Sequence, residues 1–326
     1  MEKCIYCNNP DDLTDSHIIP ECLGANLKLK DAVCHDCNSF LGRTIEAKIC
    51  NDFSFYRFLA QIKTKKRKRP TTQAELEVLG NRVTIFMGEG GLPKSIPPII
   101  VKEGPPRQYL VVAESPKKLK KYMKKFEKIG VKFDSDEAVK QDVKLTFTAD
   151  KRYISSDDYL RVAAKIAFER LCETSSQRAF QSEYDKVKQF VRHGQYQNSK
   201  PAQLIFEENL VKKILALPFP YHSILLFAYG NLIASIVSIF GLFYYFILLN
   251  DDNRLLQEWA DFIYFNPQTR ESRVPILEHD YSLDRILTLI EKSRRDPEVE
   301  MKSQVFARKK FNEVVSKIRL KTKPSD

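Results

Sequence analysis

Two short motifs, Cys4-Ile5-Tyr6-Cys7 and Cys34-His35-Asp36-Cys37, constrain this chain more than any other feature. A Cys-x-x-Cys turn points two sulfurs at one spot, so two such turns can supply four thiolates to a single tetrahedral zinc ion. The second pair closes the tetrahedron and fastens two distant pieces of chain together. The loop between Cys7 and Cys34 exceeds the commonest zinc-ribbon spacing, which points to an insert, and the insert contains His17. A disulfide framework is the competing reading. It suits secreted chains, whereas Cys22, Cys50 and Cys172 lie scattered without pattern. Cys4, Cys7, Cys34 and Cys37 are therefore the expected zinc ligands, and His35 is a substitute that the paired spacing disfavours. Four thiolates leave no open coordination position, so this Zn2+ would be structural.

His17 sits in the run Asp15-Ser16-His17-Ile18-Ile19-Pro20. Leu23-Gly24 follows, Asn38 comes directly after the last paired cysteine, and Leu41-Gly42 and Glu46 come next. Over about residues 4–50 this order resembles the HNH endonucleases with a four-cysteine zinc site. The resemblance implies a ββα-metal fold, in which a hairpin carries the general base and a short helix carries a ligand for a catalytic divalent ion. On that reading His17 takes a proton from water, work that an imidazole near neutrality suits. Asn38 would ligate Mg2+ or Mn2+, which stabilises charge on the scissile phosphate and the departing oxygen.

Two positions depart from the pattern. The residue before the base is often an acidic or histidine ligand in this family, and Ser16 is a poor ligand for a hard cation. Asp15 is the substitute, because alternation along a strand puts it on His17's face. The pattern's middle asparagine falls at Leu29 in the commonest spacing, with Asn26 and Asp31 nearby. HNH modules occur in bacterial restriction, in antiphage systems and in mobile elements, so the resemblance favours a defence setting.

The formal net charge is +11, which favours a polyanionic partner, DNA first and RNA as the alternative. The charge is clustered. Lys65, Lys66, Arg67, Lys68 and Arg69 crowd one stretch and are expected to contact a nucleic-acid backbone, without reading bases. A nuclear targeting signal or a solvated linker are the other readings of such a run. Residues 116–128 read as an amphipathic helix with Leu119, Met123 and Phe126 on its apolar stripe and lysines over the rest. Met1-Glu2-Lys3 runs straight into the first cysteine pair with no signal peptide, from which a cytoplasmic location is expected.

The fold class expected is α+β: an N-terminal zinc-stapled ββα-metal module followed by a larger mixed region with antiparallel strands. Three segments are expected: a nuclease module over 1–62, a basic linker and α+β segment over 63–150, and a recognition or docking domain over 151–326. Asn38 reads as a helix N-cap, and Leu41, Ile45, Ile49 and Phe53 recur at helical spacing. Glu46 is expected either to face the metal region or to be solvated. Gly80-Asn81 marks a hairpin, 88–106 reads as loop, and Leu255–Ile263 reads as a short helix holding Trp259.

Residues 224–249 carry no charge and are long enough to cross a bilayer. Tyr229-Gly230-Asn231 and Phe240-Gly241 divide them at strand-like intervals, so three buried antiparallel strands are expected and a membrane is not. The leading functional expectation is a metal-dependent endonuclease cutting DNA phosphodiester bonds. The alternatives are a catalytically silent zinc module that binds nucleic acid, or a membrane-associated protein anchored through 224–249.

Overall fold

The computed structural model describes residues 1–63, 71–78, 81–88, 93–95, 99–102, 108–110, 116–128, 144–146, 154–197, 199–210, 215, 217–251, 258–274 and 283–317. Lys65, Lys66, Arg67, Lys68 and Arg69 therefore lie outside the described residues. The chain divides into two compact units, one of residues 1–67 with 152–317 and the other of 68–151 with 318–326. The first and third expected segments thus share one unit.

In the larger unit the chain begins with a looped knuckle around Cys4 and Cys7, then β1 (Leu13–His17) and β2 (Lys28–Cys34), which pair antiparallel. The register slips between Thr14 and Ser16, leaving Asp15 at an irregularity where a strand re-aims its side chains. Helix α1 (His35–Leu41) follows at once, capped at its start by Cys34. Asn38 is thus inside the helix and not its N-cap, because the chain already turns helical at His35. α1 runs into a π-helical turn, Gly42–Glu46, then α2 (Ala47–Asp52) and α3 (Ser54–Leu59). Leu41, Ile45, Ile49 and Phe53 are all buried, as their spacing required. Cys22 and Cys50 form a disulfide that ties the turn after β1 to α2, so these two cysteines are partners and not scattered.

The smaller unit holds a hairpin of β3 (Thr72–Val78) and β4 (Asn81–Met87), extended by β5 (Pro93–Ser95) and by β8 (Lys144–Thr146). A separate ladder pairs β6 (Ile99–Lys102) with β7 (Gln108–Leu110), and α4 covers Pro116–Glu127. Residues 88–106 therefore include two short strands where loop was expected.

Back in the larger unit, α5 (Asp157–Thr174) and α6 (Asp185–His193) precede a six-stranded antiparallel sheet. Its strands are β9 (Ala202–Ile205), β10 (His222–Tyr229), β11 (Leu232–Ile239), β12 (Phe243–Asn250), β13 (Trp259–Asn266) and β14 (Glu271–Arg273). The order across the sheet is β14-β13-β10-β11-β12-β9. Trp259 opens a strand, not a helix, because Phe262, Ile263 and Phe265 complete the ladder beside β10. Two helices close the chain, α7 (Leu283–Arg294) and α8 (Val299–Lys317).

The uncharged run 224–249 is the centre of this sheet. One face, with Ile224, Leu226 and Val237, joins the core that α5 and the N-terminal segment share. The other, with Leu225, Phe227 and Ile236, packs on Ile286 and Ile290 of α7 and Phe306 of α8. A sheet covered on both faces needs apolar residues at every position, which explains a run that alternation alone would not produce. Among the described residues no helix is long and apolar enough to cross a membrane.

His222 joins the N-terminal segment to the sheet. Its Nδ1 accepts the Phe240 N–H at 3.1 Å, so the proton sits on Nε2, which donates to the Leu23 carbonyl at 3.0 Å. Complete burial pushes this imidazole down to about 4. The unfolded chain, titrating near 6.5, then binds the proton first. Stability is therefore full above about pH 6.5 and falls as pH drops toward 4, by about 2–3 kcal/mol at pH 4.5. Denaturant midpoints at pH 7.5 and 4.5 should carry this loss in the wild type and lack it in His222→Asn; an equal loss in both proteins would remove the assignment. Beside Leu23, Gly24 has φ +93°, and a Cβ there would come within 2.7 Å of Pro267 and 3.0 Å of Ile62. Glycine is what lets this turn lie against its neighbours.

Candidate metal and nuclease site

The four paired cysteines converge. Cys4, Cys7, Cys34 and Cys37 place their sulfurs all within 4.8 Å of one another, with Cys7 and Cys34 at 3.5 Å. Zinc–sulfur bonds of about 2.3 Å put the sulfurs of a tetrahedron about 3.8 Å apart, so the four thiols have the dimensions of one ion's shell. Three of them are buried and Cys7 is half-buried. A hydrogen bond from the Cys37 thiol holds Cys4 down to about 4, and the same bond pushes Cys37 up. Cys4 is thus the thiolate of the group, the form that binds a metal, while burial pushes the Cys34 thiol up. The Ile5 N–H bonds to the Ala32 carbonyl, so the first knuckle lies against β2.

His17 ends β1, half-buried. Burial holds its imidazole below the usual range; Glu21 opposes this and Lys28 adds to it. The ring is therefore neutral at pH 7, the form that accepts a proton. Asn38, on α1, turns its amide N–H groups to β1, donating to Thr14 Oγ1 and to the Asp15 carbonyl, both at 3.0 Å. Helix and strand are thereby locked within three residues of His17. No hydrogen bond to Asn38 Oδ1 occurs among the described residues, and that oxygen is the atom a hard cation would take.

Asp15 is exposed. Its carboxylate meets Lys28 Nζ and the Asp31 N–H, each at 3.4 Å, which is long for a hydrogen bond and easily exchanged. Ser16 points the opposite way and is fully buried. Leu29 is a core residue.

Sequence reasoning missed the partners of Ser16. Its hydroxyl donates to Glu169 of α5 at 2.9 and 3.0 Å, and the Tyr6 hydroxyl donates to the same carboxylate at 3.0 Å. Lys165, one turn earlier on α5, bonds Glu169 at 2.9 Å, Glu46 at 3.0 Å and the His17 carbonyl at 2.7 Å. Burial works against the Lys165 charge, but Glu169 and Glu46 beside it raise its pKa, so it is an ammonium at neutral pH. Glu46, partly exposed, faces this lysine. The signal in the sequence was that the middle of α5 carries apolar residues on more than one side, Val162, Phe168 and Cys172 among them. Val162 through Glu169 are accordingly buried without a break, Lys165 and Glu169 among them, while Asp157 and Glu173 near the ends are exposed.

No curated protein and no solved structure matches the chain. The family model described as HNH endonuclease matches residues 4–54, a span holding the paired cysteines, His17 and Asn38. The match covers about a sixth of the chain, and over that span the N-terminal segment is similar to the HNH endonuclease family.

Proposed function

We propose that the protein hydrolyses phosphodiester bonds in nucleic acid, DNA in the first instance, using a divalent ion bound beside His17. The observation that carries the reading is the HNH match over a segment in which Asn38 on α1 bonds the Thr14 hydroxyl and the Asp15 carbonyl of β1, the strand that His17 ends. His17 takes the proton from the attacking water. Asn38 Oδ1 and the Asp15 carboxylate hold the ion, Asp15 by giving up its long contacts to Lys28 and Asp31. Mg2+ or Mn2+ supplies charge stabilisation at the scissile phosphate and leaving oxygen. Cys4, Cys7, Cys34 and Cys37 hold a structural Zn2+ and take no part in chemistry.

The charge distribution supports a polyanionic substrate. Lys117, Lys120, Lys121, Lys124, Lys125 and Lys128 are exposed on and just beyond α4, in positions three and four apart that form one stripe. Such a row suits successive phosphates.

The reading is tested with plasmid DNA, Mg2+ or Mn2+, and purified wild type beside His17→Ala. Loss of a general base slows cleavage by roughly 100-fold or more. The variant should keep its metal content and thermal melt, since His17 contributes only its carbonyl to the buried network. Equal rates in the two proteins would reject His17 as the base. A wild type inert with every metal would favour the second reading, a silent zinc module that binds nucleic acid. The burial of Ser16, which cannot ligate from its position, is the observation that favours that alternative.

A further inference from the structure

Lys165 and Glu169 lie one helical turn apart on α5, and both are fully buried. Two charges in a protein interior are costly, and a well-packed apolar pair is often as stable or more so. The pair therefore needs a reason other than stability, and its contacts supply one.

The Lys165 ammonium has three N–H groups and three acceptors: Glu169, Glu46 and the His17 carbonyl. The Glu169 carboxylate receives Lys165, Ser16 and Tyr6. These partners belong to three parts of the N-terminal segment. Tyr6 lies between Cys4 and Cys7. Ser16 and His17 end β1. Glu46 ends the π-helical turn that continues α1 beyond Asn38. One ion pair from a helix far along the chain gathers the thiol knuckle, the strand with the base and the helix with the metal ligand. Strand alternation makes the grip one-sided. Ser16 faces down into the pair and the His17 main chain is held from below, which leaves the imidazole on the other side.

We propose that Lys165 and Glu169 are positioning residues for nucleic-acid cleavage: a charged clamp, supplied from outside the matched segment, that fixes His17 relative to Asn38. This rests on the nuclease reading above. Neither residue touches substrate or the reacting atoms. They act through the His17 carbonyl, Ser16 and Glu46. A misplacement of about 1 Å at a reacting group can cost 100-fold in rate, so the clamp's effect falls on turnover.

The test is made in the full chain with the double variant Lys165→Met/Glu169→Leu, which removes the pair without leaving an orphaned charge. The expected result is a folded protein with its zinc retained, an unchanged KM for duplex DNA, and kcat down by roughly 10- to 100-fold. Ile290→Ala, a core lesion under α7 away from the site, is the comparison: once corrected for folded fraction, it should keep wild-type kcat. If the double variant does not fold, Ser16→Ala cuts only the hydroxyl link to Glu169 and should lower kcat several-fold at unchanged KM. Wild-type kcat in a folded double variant, or in Ser16→Ala where that is used, overturns the clamp. If the wild type itself cuts nothing, the nuclease reading fails, and the clamp is then read by hydrogen exchange. The Ile18 amide, bonded to the Leu27 carbonyl at 3.0 Å, should then exchange faster in the double variant while β10–β12 amides do not change. Unchanged exchange at Ile18 overturns the clamp on that arm.

Discussion

Stripping the metal from the four-cysteine site is expected to unfold the N-terminal segment, not merely to inactivate it. Cys4 and Cys7 lie in a loop, Cys34 ends β2 and Cys37 lies in the first turn of α1, so an ion held by the four would fasten the loop to the strand and helix. A hairpin of two short strands is marginal in water by itself. Structural zinc in thiolate sites contributes on the order of 10 kcal/mol to folding, more than a typical domain has in reserve. Chelation, or Cys37→Ser, should abolish protection of the β1 and β2 amides and lower the melting temperature of the whole larger unit, because Leu23, Val33 and Ile45 belong to the core that α5 also shares. Metal analysis should fall from one zinc per chain to none. A metal-free protein that keeps β1 and β2 protected would sink the structural role of the ion.

Phe53→Ala is expected to be the most damaging single truncation of the apolar core near the site. Phe53 caps the C-terminal end of α2 and is 1% exposed. Its ring centroid lies 5.4 Å from Tyr159 of α5, 5.5 Å from Phe240 and 5.4 Å from Phe243 of the sheet, with Tyr56 at 5.7 Å. Removing a ring from such a cluster leaves a cavity that four rigid neighbours cannot fill, at a cost of roughly 3–5 kcal/mol. The denaturant midpoint should fall with an unchanged slope. Where the variant is still folded, cleavage should persist, since Phe53 touches neither β1 nor α1 in these contacts. A loss below about 1 kcal/mol would mean the cluster closes over the gap.

What the sequence made legible was chemistry with a fixed local spacing. The paired cysteines, the turn at Tyr229-Gly230-Asn231, and the stripe Leu41, Ile45, Ile49, Phe53 each announce a structure within a few residues. Gly194, with φ 71°, closes α6 in the left-handed conformation that glycine adopts freely. What stayed hidden were partners distant along the chain. Nothing near Ser16 hints at Glu169, and nothing near Cys22 hints at Cys50. The side chains and the carbonyl that satisfy Lys165 and Glu169 from outside α5 come from the first 46 positions. Trp259 was misread for a related reason. Strand pairing with β10 overrode a local helical preference, and that pairing is made with residues over thirty positions earlier.

The order of strands in the large sheet bears on how this protein behaves at high concentration. The apolar strands β10, β11 and β12 each have neighbours on both sides, so their backbone groups are already paired. The two outer strands are short, three residues for β14 and four for β9. β14 exposes Glu271, Ser272 and Arg273, and β9 is flanked by α5, α7 and α8. Short, charged or covered borders give another molecule little backbone to add to. The most self-adhesive stretch of the chain is therefore sequestered from intermolecular pairing for as long as the sheet stays closed. Lesions that open it should then be recognised by precipitation before they are recognised by lost activity.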